Sequence, residues 1–344
     1  MNQWQGDRLL QQWSTELLSN DTKDSSEHNR INQQAGLRAL LPQLIGTFAT
    51  TDDHSIKLLE TVDCGSYIRK RIECSASPYS YFAAYVLIPK QMTTPAPAVI
   101  AIHGHGYGSR EIVGLLPNGE PDLNAPGIHQ HYAIQLVNRG LITIAPDVIG
   151  FGERRLSEDI ARNADIANSC DSLSSRMLLM GKTLVGFRVH EILRVLDILS
   201  DMPEVDAERI GIMGFSGGAL IAYITAALDQ RIRATVLTGF TNTYQDSILQ
   251  IHHCICNYIP GQALHADLPQ WIGLIAPRPL FVEAGRHDPI FPIQGFHNAI
   301  SQLQQIYQQH NAEQQFASDI FEGAHEISGR YAYDWIQKKL AIID

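Results

Sequence analysis

The most chemically suggestive residues are Gly214-Phe215-Ser216-Gly217-Gly218, a serine flanked by glycines in a G-x-S-x-G pattern. The apolar run Arg209–Met213 precedes it and the Ala/Leu/Ile-rich run from Ala219 follows, so it lies between a strand and a helix. That context suits a serine nucleophile, held at the tip of a sharp turn near the positive end of a helix. Glycines on either side remove the Cβ atoms that would crowd the junction. An ordinary strand-to-helix turn is the plainer alternative.

A serine nucleophile needs a base, and the base an orienting carboxylate. Asp288 lies in Ala284-Gly285-Arg286-His287-Asp288-Pro289, just beyond the strand-like run Pro279–Glu283. His325 lies in Glu322-Gly323-Ala324-His325-Glu326, just beyond the run Gln315–Phe321. Loops that follow parallel strands open on one edge of a sheet, so Ser216, His325 and Asp288 are expected to meet as nucleophile, base and orienter. Asp246 and Glu283 compete for the carboxylate role, and His287 reads as a neighbour without one.

Such chemistry also needs donors for an oxyanion. The backbone N–H of Gly217 is one candidate. The second is the N–H of His105, with Gly106 next, in His103-Gly104-His105-Gly106-Tyr107-Gly108 after the run Ala98–Ile102. His103-x-His105 could instead be a metal pair, but no carboxylate or cysteine stands near it at ligand spacing. His252-His253-Cys254-Ile255-Cys256 matches no common zinc spacing and reads as pocket wall or buried packing. No metal and no cofactor are therefore expected. Asp147-Val148-Ile149-Gly150-Phe151-Gly152-Glu153-Arg154-Arg155 reads as a structural turn with locally paired charges.

The elements that must position these residues follow from hydrophobic periodicity. Ile56–Val62, Tyr67–Cys74 and Tyr81–Ile88 alternate like antiparallel strands. Ala98–Ile102, Leu141–Ala145, Arg209–Met213, Ala234–Thr238 and Pro279–Glu283 are near-continuous apolar runs, as in parallel strands covered on both faces. Helices are expected at about 129–139, 180–201, 216–229 and 293–309, with Gln315–Phe321 a last strand and Ile327–Ala341 a last helix. The class is α/β with a mostly parallel sheet. Segments 148–178 and 240–276 read as insertions that shape the pocket. Tyr107, Phe151, Phe240, Trp271 and Phe291 belong either to that pocket or to the core.

Residues 1–50 read as an N-terminal helical arm ahead of a catalytic domain at 51–344. Trp4, Leu9, Leu10, Trp13, Leu17 and Leu18 recur at helical spacing, a stripe expected to pack on the main domain or to form a homo-oligomer contact. The chain of 344 residues carries a formal charge of −10 without like-charged blocks, which argues against nucleic acid and anionic membranes as partners. No apolar run is long enough to span a bilayer, and the N-terminal residues lack a signal-peptide pattern. Five cysteines form no disulfide framework. A cytoplasmic protein is the expectation.

Together, His103-Gly104-His105-Gly106, Pro146-Asp147 with Gly150-Phe151-Gly152, Gly214-Phe215-Ser216-Gly217-Gly218, Arg286-His287-Asp288 and Gly323-Ala324-His325 resemble the α/β-hydrolase superfamily. The branch they resemble most is dienelactone-hydrolase-like and acetyl xylan esterase-like. The helical run Gly181–Leu199 with Gly186-Phe187-Arg188 is similar too, and the likeness spans roughly residues 55–344. It implies an eight-stranded sheet flanked by helices, a Ser-Asp-His triad and cofactor-free hydrolysis of a small-molecule carboxylic ester, acetylated sugars among them. Dienelactone hydrolases carry cysteine where this chain has Ser216, which favours a simple ester over a lactone. A peptidase of the prolyl-oligopeptidase type and a non-catalytic binding protein are the rival functions. The first lacks room for its gating domain, and intact Ser216, Asp288 and His325 oppose the second.

Overall fold

The computed structural model describes residues 6–19, 27–51 and 55–341. Two helices lead, α1 (Asp7–Ser19) and α2 (Glu27–Ile45), followed by strands β1 (Lys57–Asp63), β2 (Tyr67–Ser77), β3 (Ser80–Pro89) and β4 (Ala96–Ile102). Then come α3 (Ser109–Ile112), α4 (Tyr132–Val137), β5 (Ile142–Pro146), α5 (Ser157–Arg162), α6 (Cys170–Leu179) and α7 (Leu184–Asp201). The second half runs β6 (Val205–Phe215), α8 (Gly217–Leu228), β7 (Ile232–Thr238), α9 (Leu268–Ile272), β8 (Leu280–Gly285), α10 (Ile293–Gln309), β9 (Phe316–Phe321) and α11 (Ala332–Ala341).

Nine strands among the described residues form one sheet in the order β1-β2-β3-β5-β4-β6-β7-β8-β9, one strand more than the family resemblance implies. The first three pair antiparallel, and β3 joins β5 antiparallel. From β5 through β9 all pairing is parallel. Side chains of a strand alternate between faces, and the parallel strands are apolar on both. In β4, Ala98, Ile100 and Ile102 enter the core beneath α7 and α8, while Val99 and Ala101 enter the core beneath α4 and α11. The near-continuous apolar runs have this cause.

The N-terminal segment divides in two. Leu37, Leu41 and Ile45, four residues apart on one face of α2, are buried in the larger core beside α7. The Ile45 carbonyl accepts the Thr183 hydroxyl at 2.9 Å. In α1, by contrast, Leu9, Leu10 and Trp13 are exposed, so the expected docking of the Trp/Leu stripe onto the main domain does not occur there. Trp4 of that stripe, the Leu18 side chain and residues 20–26 lie outside the described residues.

The 148–178 insertion is largely helical, carrying α5 and α6, and 240–276 holds short turns and α9. No described helix is long and apolar enough to cross a membrane.

Candidate active site

Ser216 occupies the single residue between β6 and α8. Its backbone is at φ 54°, ψ −123°, a region that side-chain-bearing residues seldom enter and that costs about 1–3 kcal/mol. The surrounding structure holds it there. The Ser216 N–H donates to the Thr238 carbonyl at 2.8 Å, and the Ser216 carbonyl accepts the first helical N–H, from Ala219, at 2.8 Å. A Cβ at Gly218 would lie 2.1 Å from the Ile102 carbonyl oxygen, and one at Gly214 would lie 2.2 Å from the Gly218 oxygen. Only glycine permits that approach of helix to strand.

The three residues placed on separate loops by sequence do converge. His325 Nε2 stands 2.9 Å from Ser216 Oγ, and His325 Nδ1 stands 2.7 Å from Asp288 Oδ2. The other Asp288 oxygen accepts the N–H groups of Ile290 and Phe291 at 2.8 and 2.9 Å, fixing the carboxylate. With Nδ1–H donating to Asp288, the Nε2 lone pair is left for the serine hydroxyl. Phe215 and Phe291 flank the imidazole with ring centroids at 5.0 and 5.7 Å. Neither rival carboxylate reaches it. Asp246 accepts from Thr243 and Asn298. Glu283 accepts from Thr238 and the Gly329 N–H, and burial raises its carboxyl to about 7. His287 is exposed and pairs with Glu322.

The loop after β4 lies against the serine turn. A Cβ at Gly217 would sit 3.3 Å from Nδ1 and Cε1 of His105. The backbone N–H groups of His105 and Gly217 have no protein acceptor among the described residues. The loop is fixed by side chains. His103 Nδ1 donates to its neighbour's carbonyl, while Nε2 accepts the Val148 N–H at 3.1 Å. Burial pushes the His103 imidazole down to about 4, which keeps that acceptor neutral. The Gly104 N–H donates to His129 Nε2 at 3.1 Å, and the Tyr107 N–H donates to Glu111 at 3.1 Å. His129 Nδ1 lies 2.8 Å from the second Glu111 oxygen. His129 and Glu111 escaped the sequence reading. His129 begins a segment expected as helix, and neither belongs to a motif.

The turn at Asp147 is structural, as expected, but its charges pair across the fold rather than locally. Asp147 accepts the Ser109 N–H and hydroxyl at 2.8 and 2.7 Å. Arg154 grips Glu191 of α7, while Glu153 meets Arg71 and Arg110. Gly106 and Tyr107 line a cavity of about 560 Å³ with Arg110, Glu153, Arg155 and Ile160; Ser216 is not among its walls. Of the other aromatics, Trp271 and Phe240 are core. Phe151 packs edge-on to both His103 and His105.

The absence of cysteines near His105, inferred from spacing, does not survive folding. His105, Cys170, Cys254 and Cys256 present ligand atoms within 4.8 Å of one another. Burial opposes protonation of His105, yet hydrogen bonds from the protonated imidazole to the Cys170 and Cys256 sulfurs, and negative charge there, outweigh it and bring the imidazole up to about 9. His253 is packing, as expected, hydrogen-bonded to Ser247 and set against Phe291.

A parallel sheet entered by an antiparallel hairpin, with a serine turn after β6, an aspartate after β8 and a histidine after β9, is the α/β-hydrolase architecture. The chain belongs to the Abhydrolase family, whose model matches residues 18–325. The match takes in all of α2, which lies outside the span of the sequence resemblance. The chain is 27% identical over 310 residues to "Putative hydrolase YtaP" of Bacillus subtilis (strain 168), covering 87% of this chain and 94% of that one. Its structure is similar to that of a "putative acetyl xylan esterase" from Bacteroides fragilis NCTC 9343, with a TM-score of 0.76 at 18% identity, covering 92% of this chain and 89% of that one. A glucuronoyl esterase from Solibacter usitatus gives a TM-score of 0.64 at 14% identity over 90% and 91% of the two chains.

Proposed function

We propose that this chain is a serine esterase that cleaves small carboxylic esters, acetyl esters of sugars foremost, through an acyl-enzyme. The observation that carries this reading is the 2.9 Å approach of His325 Nε2 to Ser216 Oγ, on an imidazole whose other nitrogen is bound to Asp288. Ser216 Oγ attacks the ester carbonyl carbon as its proton passes to His325 Nε2. The carbonyl oxygen becomes an oxyanion, held by the N–H groups of His105 and Gly217. The C–O bond to the alcohol then breaks, and His325 returns its proton to the departing oxygen. Water, deprotonated by the same imidazole, attacks the acyl-serine and regenerates the hydroxyl, releasing the acid. Asp288 holds the tautomer and stabilises the imidazolium. No cofactor enters these steps.

The substrate class draws support from the acetyl xylan and glucuronoyl esterases that share the fold, and from serine in place of cysteine at 216. The five free cysteines accord with a cytoplasmic location.

Ser216→Ala is expected to lower kcat on p-nitrophenyl acetate by roughly 10⁶-fold while leaving the circular dichroism spectrum unchanged. Wild-type protein should be labelled by a fluorophosphonate probe and the variant should not. A folded variant with wild-type turnover would overturn the assignment.

A further inference from the structure

We propose that His105, Cys170, Cys254 and Cys256 form a four-ligand site for a structural zinc ion, which anchors the His103–Tyr107 loop beside the serine turn. The four ligands come from three distant segments: that loop, the first residue of α6, and the short turn before Asn257. Their donor atoms all lie within 4.8 Å of one another. Cys256 Sγ is 3.3 Å from Cys254 Sγ and 3.4 Å from His105 Nε2. Around tetrahedral zinc, with bonds of about 2.3 Å to sulfur and about 2.0 Å to nitrogen, the corresponding edges are about 3.8 and 3.5 Å. These two edges are therefore within about half an ångström of a coordination shell, and the 4.8 Å limit on the full set exceeds a tetrahedral edge by about one ångström. An iron–sulfur cluster would need its ligands further apart.

Arg188 supplies an independent observation. Its guanidinium is buried in α7, donates to the Ile149 carbonyl at 3.2 and 2.9 Å, and stands 3.3 Å from Cys170 Sγ. No carboxylate pairs with it among the described residues. A buried cation requires a counter-charge. Three thiolates, one neutral imidazole and Zn²⁺ sum to −1, and Arg188 brings the unit to zero.

Three cysteines and one histidine select a soft or borderline metal over magnesium or calcium, and four protein ligands close the shell as in structural zinc sites. No position remains for a metal-bound water, so the ion takes no part in bond breaking. Half-buried His105 and Cys254 leave a route of entry. Fixing the imidazole of His105 fixes the backbone that bears its N–H. That consequence rests on the esterase reading, whereas the metal site stands without it.

The test uses untagged full-length protein. Elemental analysis should find about one zinc per chain, in wild type and in Ser216→Ala alike, and background zinc in Cys170→Ser and Cys256→Ser. Should those variants fail to fold, wild-type protein stripped with a chelator and given Co²⁺ should show the visible bands and thiolate charge-transfer absorption of tetrahedral cobalt. Wild type without zinc and without that spectrum would overturn the proposal, as would a disulfide among the three cysteines. Zinc retained stoichiometrically in a folded Cys170→Ser, Cys254→Ser, Cys256→Ser triple variant would overturn it too. Loss of esterase activity in Ser216→Ala with zinc intact separates the two assignments.

Discussion

The two sides of the serine turn are built by different means. On one side, Asp288 and His325 stand on short loops directly beyond β8 and β9, and adjacent strands in register set their separation. On the other, the His103–Tyr107 loop is held by the side chains of His129 and Glu111, by the Val148 N–H after β5, which donates to His103, and by proximity to three cysteines. The sheet places the proposed acid and base; a network of polar groups places the loop that carries the proposed oxyanion donor at His105. Parallel-sheet hydrogen bonding is cooperative and hard to perturb singly. A side-chain network can fail at one member.

This contrast yields graded expectations. Of the changes to either side of the turn, Asp288→Asn should have the largest effect, lowering kcat by about 10⁴-fold through the wrong histidine tautomer, with the fold intact by circular dichroism. A loss of less than tenfold would mean that the strand-end side does not carry the chemistry. His129→Ala removes the acceptor of the Gly104 N–H. Losing a whole oxyanion donor costs about 10²–10³ in kcat, so displacing one should cost about 10- to 100-fold, with KM little changed. Fluorophosphonate labelling of Ser216 should persist, which distinguishes a misplaced donor loop from a lost nucleophile.

The smallest effect concerns stability, beneath the strand-end side. Glu283 is buried with its carboxyl raised from 4.5 to about 7. An acid whose folded pKa is raised binds a proton in the folded state that the unfolded chain has released, so stability falls as pH rises between about 4.5 and 7. Glu283→Gln keeps an oxygen for Thr238 and the Gly329 N–H and removes that dependence. Denaturant midpoints should be nearly equal to wild type at pH 4.5. Above pH 7 the variant should be more stable by up to about 3 kcal/mol. An equal difference at both pH values would assign the effect to packing instead.

The same division decides what the sequence could reveal. Ser216, Asp288 and His325 were legible because each follows an apolar strand-length run, and parallel strands deliver their following loops to one edge. The helix at 293–309 and the places of the parallel strands were readable from periodicity for the same reason, although β4, β6 and β7 begin two to four residues before the apolar runs. The cysteine cluster was not, since Cys170 lies in an insertion and nothing in a spacing of 105, 170 and 254 announces a meeting. His129 and Glu111 were hidden because their task, receiving backbone N–H groups, leaves no periodic trace. The α1 stripe misled in the opposite direction as to docking on the main domain. Its Leu9, Leu10 and Trp13 recur as a buried face would, yet they are exposed, while the weaker pattern of α2 reaches the core.

The positive φ at Ser216 bears on which side chains could ever replace it. A β-branched residue is a steric outlier in such a backbone, so a secondary alcohol such as threonine is shut out of this corner whatever its reactivity. Cysteine has the unbranched outline of serine and needs no change in the main chain. An exchange of serine for cysteine at this position is thus conformationally neutral, and its barrier lies in the chemistry of the surrounding groups alone.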